Sequence, residues 1–153
     1  MVKNKRVKNL LIFFAVIGII TSTYLTYIHY QPSADIFCEE LGGGCDIASG
    51  SMYSTVDGIL NNFGIYVNLP IPVAVLGIIA FIFIILMVKL IEYSHEEEHF
   101  NKLFYSVFVF LIFSAYLTYG EFIVLKTFCI YCDIVKLVLL IIFFILCYYK
   151  FNR

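Results

Sequence analysis

Apolar residues gather into four long runs separated by shorter polar stretches. The runs extend from about Leu10 to Tyr30, Ile71 to Ile91, Leu103 to Leu125 and Cys129 to Tyr149. Each reaches the roughly 20 residues needed to cross the hydrocarbon core of a bilayer. A chain in lipid must satisfy its backbone hydrogen bonds internally, so runs of this length read as helices. The pattern predicts an all-α integral membrane protein, a bundle of four transmembrane helices forming one domain over residues 1–153. The segment 31–70 forms an outer cap between the first two spans.

The first run starts after Lys3, Lys5, Arg6 and Lys8, as a secretory leader would. Its apolar stretch is longer than the 7–15 residues of a leader's core, and no small-residue cleavage site follows. Tyr24, Tyr27 and Tyr30 read instead as an interfacial anchor of a retained helix. Lysine and arginine then set the orientation. The four basic residues before the first span fall on one side with Lys89, Lys102, Lys150 and Arg153, and only Lys126 falls on the other. Both termini are therefore expected in the cytoplasm, with 31–70 and the tight turn around Lys126 and Thr127 outside.

The outer stretch carries Asp35, Glu39, Glu40, Asp46 and Asp57 and no basic residue. A connection of this length is usually functional or disordered, and its aromatic and aliphatic content argues against disorder. Ser51 to Asn62 is expected to form a short surface helix, with Met52, Val56, Ile59, Leu60 and Phe63 on one side. The inner connection His95–His99 reads as a solvated turn, its histidines standing among flexible acids. Gly18, Ala74, Gly77, Ala115 and Gly120 allow close approach of helices. Ser22–Tyr27 (Ser-Thr-Tyr-Leu-Thr-Tyr) echoes Ser114–Tyr119 (Ser-Ala-Tyr-Leu-Thr-Tyr). This is either a faint internal repeat or two tyrosine-rich helix ends.

Composition agrees with the membrane reading: 62% of residues are hydrophobic and 14% charged, against about 45–50% and 25% in soluble domains. The net charge of −1 implies no pull toward nucleic acid.

The chemistry lies in the five cysteines. Cys38 and Cys45 sit in the outer segment, separated by residues that include Gly42, Gly43 and Gly44, which let the two close into a disulfide. Cys129 and Cys132 form a Cys-Ile-Tyr-Cys motif where the fourth span begins. They are one turn apart at a helix N-terminus, whose dipole and free N–H groups favour thiolate. Cys147, near the other end of that span, reads as an inert thiol. A mobile pair beside an embedded pair makes an electron relay, in which a thiolate of one attacks the disulfide of the other. Two structural disulfides or a bound metal are the alternatives. Six residues between Cys38 and Cys45 exceed the common metal spacing of two to four, and no metal is expected. Lys136, four residues after Cys132 on the same helix face, either stabilises a Cys132 thiolate or a reduced, anionic electron acceptor, or simply snorkels or pairs with Asp133.

These residues together resemble the vitamin K epoxide reductase family, in its short prokaryotic, disulfide-forming branch. The markers are Cys38 and Cys45, the stretch Cys45–Ser51, Tyr53, Ile71-Pro72, Gly77, Ser114–Leu117 and Phe128–Cys132. The resemblance implies an oxidoreductase with a quinone, ubiquinone, menaquinone or a related one, bound among the outer helix ends as co-substrate. It implies a thioredoxin-like (DsbA-like) partner that passes electrons to Cys38, then exchange of Cys45 with Cys129, and reduction of the quinone by Cys132. Ser51 matches the family's serine near the quinone head, although a plain helix-capping hydroxyl explains it too. Two features depart from the pattern. Some members carry a quinone-binding asparagine in the second span, where this chain reads Pro72 to Leu76 without one. Many bacterial members continue into a thioredoxin-like domain, whereas this sequence ends at Arg153, so the partner is expected in trans.

Three other functions compete. A DsbB-type quinone oxidoreductase shares the chemistry, but its Cys-x-x-Cys lies in the first outer loop and its spaced pair in the second, the reverse of the order here. A non-catalytic scaffold stapled by disulfides would tolerate loss of Cys129 and Cys132. Reduction of vitamin K epoxide or quinone is the third.

Overall fold

The computed structural model describes residues 5–31, 50–62, 64–66, 68, 70–94, 97–126 and 128–152. It contains α1 (Lys5–Tyr30), α2 (Val56–Asn62), α3 (Val73–Ser94), α4 (Glu97–Tyr119) and α5 (Ile130–Phe151). A π-helical turn, Gly120–Val124, prolongs α4. Among the described residues four helices are long and apolar enough to cross a membrane, and the chain is an all-α, multi-pass membrane protein. The sequence placed the long helices within a few residues, except that α1 starts at Lys5, five residues before its apolar run, and α4 at Glu97, six before its own. His99 therefore lies on a helix, while His95 falls outside the described residues. The cap helix also differs from expectation. It begins at Val56 and not at Ser51, because residues 51–54 fold into turns closed by Ser54 N–H and Oγ donating to Ser51 O at 3.1 and 2.7 Å. Ile59 is buried, whereas Met52 is exposed.

The long helices form a four-cornered ring: α1 packs on α3 and α5, and α4 packs on the same two. The N-terminal end of α1 meets the C-terminal end of α3 through a Lys8–Glu92 ion pair of 2.5 Å. Phe100 of α4 meets Tyr149 of α5 at the same end, with ring centroids 5.6 Å apart. Lys8, Lys89, Lys102 and Lys150 therefore gather at one end of the bundle and the Cys129–Cys132 motif at the other.

Residues that prefer lipid face outward, among them Phe13, Ile20, Leu86, Ile112 and Phe144. Hydroxyls inside the apolar helices bond back to the carbonyl four residues earlier: Thr21 to Ile17, Thr26 to Ser22 and Thr118 to Ser114, at 2.9–3.0 Å. These bonds keep the three threonine hydroxyls satisfied within their own helices.

Packing differs between the two ends. Near the basic end Leu11, Ala15, Ile84, Val88, Phe100, Leu103, Ile142 and Leu146 form a closed core. Gly18 lets α1 lie against the Phe81 ring, and a Cβ there would overlap it. Toward the cysteine end the ring opens into a cavity. The cap is sewn to its rim by an isolated bridge between Thr55 and Pro72. Val56 N–H donates to Ile71 O at 2.9 Å, and Val73 N–H to Ser54 O at 2.7 Å. Gly120 admits the cap's Tyr53 ring, which a Cβ there would approach to 2.8 Å.

Candidate active site

The cavity measures about 850 Å³, inside the range of roughly 300–1,000 Å³ typical of small-molecule sites. Its walls are mostly apolar and come from α1, the cap, α3, α4 and α5. Along α4 the lining runs Ser106, Phe110, Phe113, Leu117 and Glu121, the i, i+3/i+4 stripe of one helix face. The facing wall on α3 runs from Pro72 to Phe83. Polar groups are few; Ser22, His29, Ser51, Ser54, Glu121 and Lys136 lie toward the cysteine end, and Ser106 and Tyr105 toward the other.

Cys129 is the N-cap of α5, in extended backbone geometry, and its sulfur accepts the Cys132 N–H at 3.4 Å. Cys129 and Cys132 are joined as a disulfide with Cα atoms 5.3 Å apart. The sequence reading of this pair at a helix start thus has a local cause: the cap sulfur takes up an amide hydrogen that the first turn leaves free. Cys129 is buried, packed against Leu25 and Tyr131. Tyr131 in turn meets Tyr24 of α1 edge-on, centroids 4.9 Å apart. Both sulfur-bearing residues line the cavity.

Lys136 also lines it, one turn beyond Cys132. Its Nζ donates to Asp133 Oδ1 at 3.1 Å, the pairing expected from spacing. It makes a second ion pair, with Glu121 Oε2, that spacing along α5 does not disclose. Glu121 sits in the π-helical turn and is 6% exposed. Its carboxylate oxygen lies within 4.8 Å of both Cys129 and Cys132 sulfurs. Its other oxygen, Oε1, is buried without a hydrogen-bond partner, as is Ser22 Oγ. An acid inside a membrane span is expensive and marks a functional position, and π-helical turns often coincide with such positions. The signal was present in the sequence as the one acid inside the third apolar run.

Of the residues named from sequence, Ser51, Cys129, Cys132 and Lys136 converge on one cavity. Cys38 and Cys45 lie outside the described residues. Cys147 is a free, half-buried thiol far along α5.

The sequence model of the vitamin K epoxide reductase family matches residues 9–147, nearly the whole chain. The chain belongs to the vitamin K epoxide reductase family. No curated protein sequence matches it significantly. Members of this family are membrane oxidoreductases that act on thiols and quinones.

Proposed function

We propose that this family member oxidises the dithiol of a separate thioredoxin-like, DsbA-like protein outside the cytoplasm and passes the electrons to a membrane quinone. Cys38 receives the partner, Cys45 exchanges with Cys129, and Cys132 reduces the quinone in the cavity. The net reaction is partner dithiol plus quinone to partner disulfide plus hydroquinone. Both termini are cytoplasmic and the two cysteine pairs lie outside, a placement supported by the single basic end of the bundle. One domain over residues 1–153 holds the whole relay.

The observation that carries the reading is the disulfide-forming Cys129–Cys132 pair at the wall of a largely apolar cavity within the bundle. A lipid-soluble ring with two carbonyl oxygens matches such a site. Ser51 and Lys136 contribute polar contacts at its head, and Ser22, with its unpartnered hydroxyl, supplies a donor where the second span has no asparagine.

The test is quinone reduction by the purified full chain, followed by absorbance, with a reduced thioredoxin-like protein as donor. Cys38→Ala, Cys45→Ala, Cys129→Ala and Cys132→Ala are expected to lose partner-driven turnover. Dithiothreitol is expected still to drive the first two. Wild-type protein inactive with several quinones, or mutants equal to it, would reject the reading.

A further inference from the structure

Reduction of a quinone by a dithiol moves two protons as well as two electrons, and the apolar cavity offers few groups to carry them. Four observations converge on Glu121. Its carboxylate is within 4.8 Å of both sulfurs. It is buried. It lines the cavity that also takes in Cys132. One of its oxygens is committed to Lys136, while the other has no partner. A buried acceptor without a donor is costly, and a carboxylate in a span is rarely kept without a task.

We propose, on the basis of the quinone-reducing function above, that Glu121 is the acid–base catalyst of this site, moving a proton between the Cys129–Cys132 pair and the quinone. Cys132 reacts as the thiolate, its proton already released to water. The Cys129 S–H bond breaks as Cys129 Sγ bonds to Cys132 Sγ, and Glu121 Oε1 takes that proton. The electron pair leaves through Cys132 Sγ to the quinone. Glu121 then delivers its proton to the near quinone oxygen, and the far oxygen takes one from water. Dithiol plus quinone becomes disulfide plus hydroquinone, with two electrons and two protons accounted for.

Lys136 gives the step its electrostatic logic. At rest its ammonium is shared between Glu121 and Asp133. When Glu121 accepts the proton, one of these two carboxylates is neutralised, which frees the ammonium toward the cavity as negative charge arrives on the quinone oxygen. The ammonium stabilises that charge until the proton follows.

The experiment is single-turnover oxidation of the prereduced full chain by a short-chain ubiquinone. Glu121→Gln is expected to slow it by about 100-fold, the lower range for a lost acid–base group, and Glu121→Asp to recover part of the loss. Quinone-induced thermal stabilisation should be the same in Glu121→Gln and wild type. The double variant Glu121→Gln/Lys136→Met, which buries no lone charge, should stay slow. A double variant that regains the wild-type rate would show that Glu121 only balances Lys136. Glu121→Gln within threefold of wild type, or one that no longer responds to quinone, would equally overturn the proposal. An inactive wild type would instead refute the quinone reading on which it rests.

Discussion

The ring of Tyr53, in the cap, occupies the space that a side chain on Gly120, at the end of α4, would need. The same ring lies 6.0 Å from that of Tyr116, one turn earlier. A glycine at the mouth of the cavity thus holds the cap down. Gly120→Val is expected to lift Tyr53 and cost about 1–3 kcal/mol, as overpacking does elsewhere. Thermal unfolding in detergent reads the loss. Tyr53→Ala placed in the Gly120→Val background should return part of it, since the clash then has no second party. Strict additivity of the two substitutions would mean that the rings and the glycine are not coupled.

Lys136→Met removes the ammonium and leaves the Glu121 carboxylate buried and unpaired. Breaking such a pair from one side costs about 3–5 kcal/mol, so the unfolding temperature should fall and recover when Glu121→Gln is added. In kinetics, Lys136→Met should slow quinone reduction about tenfold or more, the equivalent of one pKa unit at a stabilised anion. Disulfide exchange with the thioredoxin-like partner should continue unchanged. Equal quinone turnover in the variant would reduce Lys136 to a structural counter-ion.

Ser22→Ala separates stability from binding. Its hydroxyl is buried with no partner and sits across from Gly77 of α3, where a Cβ would lie 2.9 Å from Oγ. Removing an unsatisfied hydroxyl should leave the protein as stable or more so, by up to about 1 kcal/mol. The KM for quinone should rise about three- to tenfold if that hydroxyl donates to the ring. An unchanged KM would take Ser22 out of the quinone site.

Cys147→Ala should leave turnover within twofold of wild type. The thiol is free, half-buried and near the opposite end of α5 from Cys132. Titration of the denatured, oxidised protein should find one fewer reactive thiol. A large loss of turnover would bring the fifth cysteine into the relay.

The four spans and the cysteine motif were legible because lipid imposes one rule on every spanning residue, and because Cys129 and Cys132 are close in sequence as well as space. Lys136 was legible for the same reason, one turn from Cys132. Glu121 stood out only as the lone acid of the third apolar run; its pairing did not, since its partner lies fifteen residues away on another helix and the register of the π-helical turn is invisible in the residue pattern. Met52 and Ser51 were drawn into a helix by their spacing. The hydroxyl and amide of Ser54, bonding back to Ser51, stop that helix from starting before Val56. Gly18 and Gly120 were recognised as permitting close contact, but not what they would touch. Contacts between distant segments are fixed by how helices pack, which no single run records.

The closed core at the basic end has a bearing on the membrane itself. Leu11, Ile84, Leu103 and Ile142 are almost wholly sealed from solvent, and the cavity stops at Leu139 along α5 and at Tyr105 along α4. A hollow that traversed the bundle would offer ions a route through the bilayer, and every 100 mV of potential drives each elementary charge with about 2.3 kcal/mol. The plugged end is thus an electrical insulator: it lets the protein keep a roomy chamber open toward the cysteine side without short-circuiting the membrane in which it sits.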